Sequence, residues 1–445
     1  MKKIIVLCAS TLMLSGCGLY KQYESQSTVP QDVYGVQKVD TTASIASLGW
    51  REMFCEPQLQ ALIETALANN VEAKTALMRI QQAEIGYRTS RLGYLPTVAF
   101  SPSVSAMKVG SAEAVYEGTL GLNASWQLDV FGAGVTNTKR KAKAQMGYAE
   151  DYAQAVECRL ISSVASLYYN LEALDMQLAI QTGMIALYEK TYESVQTLYE
   201  AGQYNSAAVS QTKAQLEQLK VQLLDTKNSL VTTEHAICQL LDEPYRHIER
   251  GSLEQAKMPV CLGTGVPADL LRLRPDVRVA ERNIELAYYD VLQSKGALYP
   301  SVTLTANGGW AFLNPTHWLV QGIGSLAQPI FMGGKLRADL QINKINQQIA
   351  VEEFRSTVIK AGHEVTSALS DCMLAQEKTA HIAAQVEAQK QSVEATQELM
   401  NYGSSNYLEV LTSLQELLQA QSAKVSNKAA GMDAVVRLYA ALGGR

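Results

Sequence analysis

The side chains that most often carry out catalysis are present in this sequence, but they are not grouped for it. The segment FMGGK at residues 331–335 does not match a phosphate-binding loop, and GTGVPA at 263–268 contains only a lone pair of glycines. The histidines are scattered without the spacing of metal ligands: His235, His247, His317, His363 and His381. We therefore expect no enzymatic activity and no metal or other cofactor. The net charge of −5 also argues against nucleic acid as a partner.

The N-terminus predicts one covalent modification. Two lysines precede a short apolar run at residues 4–14, which is too short to cross a bilayer. The sequence LSGC that ends at Cys17 resembles a bacterial lipobox, in which the cysteine becomes the first mature residue and carries lipid. The alternative is an ordinary signal peptide with an incidental cysteine. The resemblance implies stable anchoring through the acyl chains of Cys17, and Gly18 in place of Asp favours the outer membrane.

The chain contains two copies of one unit. GYLPTV at 93–98 matches ALYPSV at 297–302, and LYEAGQYNSAAV at 198–209 matches LMNYGSSNYLEV at 399–410. The offset is about 200 residues throughout, which indicates a tandem duplication and not a short solenoid repeat.

Each copy contains two segments with the pattern of β-strands. In EGTLGLNASWQLDV, apolar residues from Leu120 to Val130 alternate with mostly polar ones, a period of 2. The second copy repeats this pattern in VTLTANGGWAF. The sequence predicts four strands, at 97–109, 117–131, 301–312 and 318–331.

Long helices follow the strands in both copies. No proline occurs between Val135 and Glu243 or after Pro329, and apolar residues recur at 4-3 spacing from Leu160 to Tyr199. A sustained period of 3.5 indicates coiled-coil packing, and a helix of about 65 residues would be about 100 Å long. Each long segment is interrupted by a glycine that can end one helix and an asparagine that can begin the next. The predicted hairpin tips therefore contain Gly202, Asn205, Gly403 and Asn406.

Five cysteines remain outside the signal segment and Cys17: Cys55, Cys158, Cys238, Cys261 and Cys372. An odd number cannot all pair within one chain. In the first hairpin, Cys158 and Cys238 lie at levels that differ by roughly 12 Å, beyond disulfide reach. We expect both to be small buried residues, and whether Cys55 pairs with Cys261 stays open.

The number of strands predicts an oligomer. Four strands cannot close a barrel, since the smallest transmembrane barrels need about 8, and an open sheet edge is not tolerated in lipid. The strands must therefore be pooled from several chains. On these physical grounds alone, a dimer and a trimer are both possible.

Two long segments carry a family resemblance. Residues 49–77 and 266–310 resemble the outer membrane factor family of TolC-type efflux channels, in its lipoprotein branch. The second segment matches through Arg274, Pro275, Asp276 and Glu281, although Leu273 replaces a frequent arginine. Pro275 and Asp276 also suit the first turn of a helix, so we interpret this signature as mainly structural. The resemblance covers nearly all of the mature chain.

The resemblance implies a fold class and a gate. The expected fold is mostly α, with long helical hairpins that form a periplasmic helical barrel and four strands per chain in a trimeric 12-stranded β-barrel. In the family, acidic residues of the second hairpin ring the periplasmic aperture, and the matching position is Glu409. A second family acid is Thr412 in this chain. Asn406 with Glu409 is also a variant of the capping box, so Glu409 is a candidate for a cap and for the gate.

The expected function follows from these features. It is that of a homotrimeric outer membrane exit duct for small toxic compounds or drugs, anchored in lipid and joined to a periplasmic adaptor and an inner-membrane pump of the RND type. The alternatives are a type I protein secretion channel and a lipid-anchored coiled-coil protein without a pore. The sequence does not name the exported compounds. It predicts a signal peptide at 1–16, a lipidated segment at 17–57, repeats at 58–245 and 275–445, and an equatorial linker at 246–274.

Overall fold

The computed structural model describes residues 21–25, 49–108, 110, 113–130, 134–256, 272–311, 317–402 and 406–444. Within these ranges the chain forms two compact units. The first contains Leu77–Tyr152 and Asp276–Thr357, with residues 21–25. The second contains the described parts of Ala153–Pro275 and Val358–Arg445, with residues 49–76.

Helices dominate both units. Two helices of 66 and 67 residues each cover a long proline-free stretch and are followed by a partner of about half that length. The elements are α1 (Trp50–Met53), α2 (Pro57–Asn69), α3 (Val71–Leu92), β1 (Thr97–Met107), β2 (Val115–Leu128), α4 (Val135–Glu200), α5 (Ser206–Leu241), α6 (Pro275–Gly296), β3 (Ser301–Ala311), β4 (His317–Ala327), α7 (Lys335–Asn401) and α8 (Tyr407–Ala441).

The helical core of the second unit uses the residues at 4-3 spacing. Leu160, Val164 and Leu171 of α4 are buried in one cluster with Val435 and Tyr439 of α8. The burial of a stripe from each helix is the packing that the 3.5-residue period indicates. Local propensity alone would not hold such long helices, because most helical stability in proteins comes from packing of this kind.

The segment after Pro57 forms two helices, α2 and α3. Asn70 lies between α2 and α3, with extended backbone angles (φ −54°, ψ 130°). Its Oδ1 accepts hydrogen bonds from the backbone N–H groups of Glu72 and Ala73, at 2.9 and 3.1 Å. Asn70 therefore ends one helix and caps the next, as asparagine does readily at N-cap positions.

The four strands form one antiparallel sheet in the order β1-β2-β3-β4. Strands β2 and β3, which come from different copies of the duplication, pair along ten residues from Thr119↔Ala311 to Leu128↔Val302. The sheet is thus a continuous product of both copies, and β1 and β4 are its outer strands.

Strands β2 and β4 end at least three residues earlier than the sequence predicted. β2 was expected to reach residue 131 and ends at Leu128, because the Asp129 carboxylate accepts the backbone N–H groups of Gly134 and Thr136 and turns the chain into α4. β4 was expected to reach residue 331 and ends at Ala327. Pro329, which has no N–H group for the ladder, follows two residues later.

The cysteines answer one open question. Cys55 has a free, exposed thiol that donates to the Glu52 carbonyl at 3.3 Å, so it is not paired with Cys261, which lies outside the described residues. Cys158 and Cys238 are buried, as predicted. Cys372 is disulfide-bonded.

Candidate functional site: the two-faced sheet and the hairpin tips

The register of the sheet places most of the apolar side chains of the four strands on one face, with Met107 and Ile323 among the exceptions. Phe100 lies opposite Leu122, and Leu120 lies opposite Trp310, which in turn lies opposite Trp318. Their side chains are largely exposed, so this face is an apolar surface that no described part of the chain covers. A bilayer is the environment that favours such a surface.

The other face of the sheet is polar. Because side chains alternate along a strand, the residues between the apolar positions share this second face. Ser103 and Thr119 are hydrogen-bonded across it through their hydroxyl groups, at 2.7 Å. The polar residues of this face are Thr97, Ser101, Ser103, Ser105, Glu117, Thr119, Asn123, Ser125, Gln127, Ser301, Thr303, Thr305, Asn307, Gln321 and Ser325.

Strands β2 and β3 approach closely on the polar face at a pair of glycines. A Cβ on Gly309 would lie 2.8 Å from the Leu120 carbonyl oxygen and 3.0 Å from the Gly121 Cα. Such distances are too short for a side chain, so the pairing of the two copies at this point requires glycine. The neighbouring Gly308, on the apolar face, has open space around it.

The first hairpin tip turns at Gly202. This residue has φ 76°, a conformation that favours glycine, and its N–H donates to the Tyr199 carbonyl at 2.9 Å. Asn205 then begins α5, since its side chain accepts the N–H of Ala208 at 3.0 Å. A helix end and an N-cap are thus separated by only a few residues.

The second tip holds the gate candidate. Gly403 lies outside the described residues. Asn406 begins α8 and its side chain accepts the N–H of Leu408 at 3.4 Å, while Glu409 lies exposed in the first turn. The two tips contact each other through Tyr204 and Tyr407, whose rings meet edge to face with centroids 5.4 Å apart.

The residues of the family signature hold elements together. Arg274 is buried, donates to the Ala441 carbonyl at 3.0 Å and forms an ion pair with Glu364 at 2.6 Å, so it joins the start of α6 to α7 and to the end of α8. Pro275 is the first residue of α6, and Asp276 accepts the N–H of Val277 at 2.9 Å.

Glu281, the last signature residue, lies half-buried on α6 near Tyr23 of the N-terminal segment. Burial, and then the negative charges of Glu281 and Glu285, raise the pKa of Tyr23 to about 12. Cys17, the predicted site of lipidation, lies outside the described residues.

A buried carboxyl group lies beside a half-buried one in the second unit, and the sequence patterns did not point to this pair. Glu172 of α4 is only 1% exposed. A Cβ on Gly251 would lie 3.1 Å from Oε1 of Glu172 and 3.6 Å from a carboxylate oxygen of Glu56, so the two carboxyl groups face the same glycine. Burial, and then the charge of Glu56, raise the pKa of Glu172 to about 8. Glu172 therefore retains a proton at neutral pH.

A second buried carboxylate has the opposite environment. Glu234 of α5 receives hydrogen bonds from Arg250 at 2.5 Å and from the Tyr245 hydroxyl at 2.9 Å, and His247 Nδ1 lies 2.8 Å from it. Burial opposes its charge, but the bonds from Arg250 and Tyr245 outweigh burial and hold the pKa of Glu234 below its ordinary value. Arg250 also pairs with Asp175 of α4.

Two kinds of feature are absent from the described residues. Among them, no three His, Cys, Asp or Glu side chains are grouped so that they could hold a metal ion. None of the helices in the described ranges combines the length and the apolar character that a membrane-crossing helix needs.

The fold and these surfaces define a class of protein. Two long helical hairpins and a four-stranded sheet with one apolar and one polar face are the parts of an outer membrane channel subunit. Residues 62–243 and 266–444 match the family model for outer membrane efflux proteins, and the chain belongs to this family.

Curated relatives cover nearly the whole chain. The toluene efflux pump outer membrane protein TtgC of Pseudomonas putida is 26% identical over 100% of this chain and 96% of its own. The cation efflux system protein CusC of Escherichia coli K12 is 28% identical over 99% of both chains. The solved outer-membrane channel OprN superposes with a TM-score of 0.85, at 23% identity over 96% of this chain and 98% of that one.

These comparisons confirm two predictions. The fold class, mostly helical with a four-stranded sheet, is that of solved outer membrane channels. The expected function, the outer membrane channel of an efflux system, agrees with the family and with the names of its members.

Proposed function

We propose that this chain is one third of a homotrimeric outer membrane exit duct of a tripartite efflux system. The sheet carries this proposal. It has one apolar face and one polar face, and its outer strands β1 and β4 each pair with a single strand among the described residues. In lipid an unpaired edge is costly, so β4 of one copy must pair with β1 of the next until the ring closes.

Closure of the ring limits the number of copies without fixing it. Two chains would supply 8 strands and three would supply 12, and the family resemblance favours three. We expect a trimer of the purified protein in detergent, measured by native mass spectrometry and by chemical cross-linking. A stable monomer or dimer would contradict the proposed architecture. Ion conduction by the reconstituted trimer would also rule out the alternative of a coiled-coil protein without a pore.

We expect the duct to be anchored by lipid at Cys17. The LSGC sequence supports this proposal. Mass spectrometry of the purified protein should find residues 1–16 removed and Cys17 acylated, and an unmodified N-terminus would refute it. The variant Cys17→Ser should be held less firmly in the membrane, yet its strands should still insert, because insertion depends on the apolar face of the sheet.

The duct is proposed to be passive, with selection made by its partners. Relatives that cover nearly all of the chain are named for cargoes as different as toluene and cations. We therefore assign it small toxic compounds or drugs, delivered by an inner-membrane pump of the RND type through a periplasmic adaptor. The neighbouring genes test this choice. An RND pump and adaptor would support it, whereas an ABC exporter beside a large secreted substrate would favour type I secretion.

Glu409 is proposed to contribute to a gate at the hairpin tips. It is exposed in the first turn of α8, and three copies around a threefold axis would concentrate negative charge and favour cations. In a planar bilayer, Glu409→Ala should reduce cation preference at low salt. The effect should vanish at high salt, because the Debye length falls from about 30 Å at 0.01 M to about 3 Å at 1 M.

The controls for this prediction separate charge from capping. Glu377→Ala and Glu394→Ala remove exposed carboxylates from α7 and should change selectivity less. Glu409→Ala could also weaken the start of α8 by about 1 kcal/mol through loss of capping. Glu409→Gln keeps much of the capping geometry without the charge. Wild-type selectivity and conductance in Glu409→Gln would show that Glu409 is a cap and not a gate.

A further inference from the structure

All four connections between strands and helices lie at one end of the sheet. The antiparallel register pairs the end of β2 with the start of β3 at Leu128↔Val302, and the start of β3 with the end of β4 at Ser301↔Ala327. β1 also starts at this end, with Thr97 opposite Ser125. The last turns of α3 and α6 and the first turns of α4 and α7 therefore adjoin the same sheet edge.

This end of the sheet is rich in positive charge. We define the junction collar as residues 86–96, 129–130, 134–141, 290–300 and 328–341. In a chain of net charge −5, the collar holds three acidic residues, Asp129, Asp290 and Asp339, against eight basic ones. The basic residues are Arg88, Arg91, Lys139, Arg140, Lys141, Lys295, Lys335 and Arg337.

Two of the three acidic side chains are already occupied. Asp129 accepts the backbone N–H groups of Gly134 and Thr136, and Asp290 pairs with Lys141. Lys141 is therefore already paired, and Arg88 pairs with Glu84, which lies two residues before the collar. Arg91, Lys335 and Arg337 are exposed, so their charges are available to a partner outside the chain.

Exposed apolar residues lie between the sheet and these charges. Ile330 and Phe331, which follow β4, are 95% and 85% exposed, and Met332 comes next. Leu92 and Leu95, before β1, are also exposed. Along the chain the order is membrane-type strand, apolar residues, then basic residues within the first two helical turns. This order matches the change from acyl chains to headgroups in a bilayer.

Aromatic contacts mark the level at which the apolar residues give way to the basic ones. The Trp126 indole N–H donates to the Tyr94 carbonyl at 3.0 Å, and the Tyr94 hydroxyl is hydrogen-bonded to Thr136 at 3.0 Å. Lys139 Nζ lies 5.8 Å from the centre of the Tyr94 ring. Trp and Tyr prefer the interface of a membrane, where the ring is apolar and the polar group is wet. A lysine beside them lies at headgroup depth.

We propose that the junction collar is a binding surface for anionic phospholipid headgroups in the leaflet nearest the helices. The inference rests on the proposed membrane insertion of the sheet. The exposed apolar residues contact the upper acyl chains, and the lysine and arginine side chains contact the phosphates. Each lysine or arginine near an anionic membrane surface strengthens binding to that surface by about fivefold.

Trp126 provides the reporter for a test. The other exposed tryptophans, Trp310 and Trp318, lie opposite each other at the far end of the sheet, and Trp50 is buried in the second unit. In a Trp310→Phe/Trp318→Phe background, the full-length protein is reconstituted with brominated phosphatidylglycerol or brominated phosphatidylcholine. Brominated chains quench a nearby indole, so the ratio of quenching by the two lipids measures the preference for the anionic headgroup.

The variant Arg91→Gln/Lys335→Gln/Arg337→Gln removes three exposed charges from the collar. At low salt we expect the background protein to prefer phosphatidylglycerol by about tenfold or more, and the triple variant to lose most of this preference. The matched control is Lys213→Gln/Lys378→Gln/Lys390→Gln, which changes the net charge equally through exposed lysines of the second unit. The control should keep the preference.

Each other result overturns the inference. Equal quenching by both lipids in the background protein, or equal loss of preference in the control, would show that the collar does not select headgroups. Displacement of the anionic lipid by inorganic phosphate, but not by chloride at equal ionic strength, would identify a free-phosphate site instead. Absence of quenching by either lipid would mean that the sheet is not inserted, and the proposed function would then fail as well.

Discussion

Replacing Glu172 with glutamine should remove a loss of stability that the wild-type protein suffers as pH rises. Glu172 is buried beside Glu56, and its pKa is raised from 4.5 to about 8. The folded protein therefore keeps a proton that the unfolded chain releases. The introduced amide would be neutral at every pH and nearly the same size, so Glu172→Gln should be more stable than the wild type at pH values above about 8.

The direction of the effect follows from proton linkage. Below pH 4.5 the carboxyl is protonated in both states, so pH has no effect through this group. Between 4.5 and about 8 only the unfolded state is ionised, and stability falls as pH rises. Above that window both states are ionised and the dependence ends. Because one pKa unit corresponds to about 1.4 kcal/mol, the rise from 4.5 to about 8 corresponds to a loss on the order of 5 kcal/mol.

Thermal unfolding followed by the helical circular dichroism signal measures this effect across the pH range. The matched control is Glu193→Gln, which removes an exposed carboxylate from the same helix. Its unfolding curve should follow the wild type at every pH. Parallel pH dependence of the wild type and Glu172→Gln would show that Glu172 does not hold a proton in the folded state.

Much of the fold could be predicted because it depends on periodic patterns. The period of 2 identified the strands, and the register later aligned Leu120 with Trp310 on one face. The 4-3 spacing from Leu160 onward identified the buried stripe of α4. The ends of elements were less predictable, since β2 ends where Asp129 binds two backbone N–H groups. A side-chain cap of this kind leaves no periodic signal.

The buried charges could not be predicted for a different reason. Glu172 follows the buried Leu171 on α4, but its burial depends on segments far away in sequence, which include Glu56 and Gly251. Lys428 of α8 is half-buried and donates to the Glu254 carbonyl at 2.7 Å. Burial lowers the pKa of Lys428. Long-range packing, and not local pattern, decides which polar residues become buried.

The two buried carboxylates respond to pH in opposite directions. The hydrogen bonds to Glu234 lower its pKa, so Glu234 contributes stability that is present above the unfolded value of 4.5 and is lost as pH falls. Ionisation of Glu172, in contrast, lowers the stability of the folded protein as pH rises. Both lie in the second unit, where Arg250 and Gly251 are consecutive residues after α5. This short segment therefore lies against both carboxylates, Glu234 through Arg250 and Glu172 through Gly251.

Replacing Arg250 with methionine should destabilise the second unit by about 3–5 kcal/mol at neutral pH, because it leaves the buried Glu234 without its cationic partner. Asp175 loses the same partner but is more exposed, so it adds less. The matched control is Arg246→Met, four residues earlier, which breaks an exposed pair with Glu243 and should cost less than about 1 kcal/mol.

Denaturant unfolding of both variants measures the difference between the buried and the exposed pair. As pH falls towards the ordinary pKa of a glutamate, Glu234 becomes protonated in Arg250→Met before it does in the wild type, because the variant lacks the cation that holds its pKa down. The gap in unfolding free energy between Arg250→Met and the wild type should therefore narrow, while the small effect of Arg246→Met stays constant. Equal losses in the two variants at neutral pH would show that the buried pair contributes no more than a surface one.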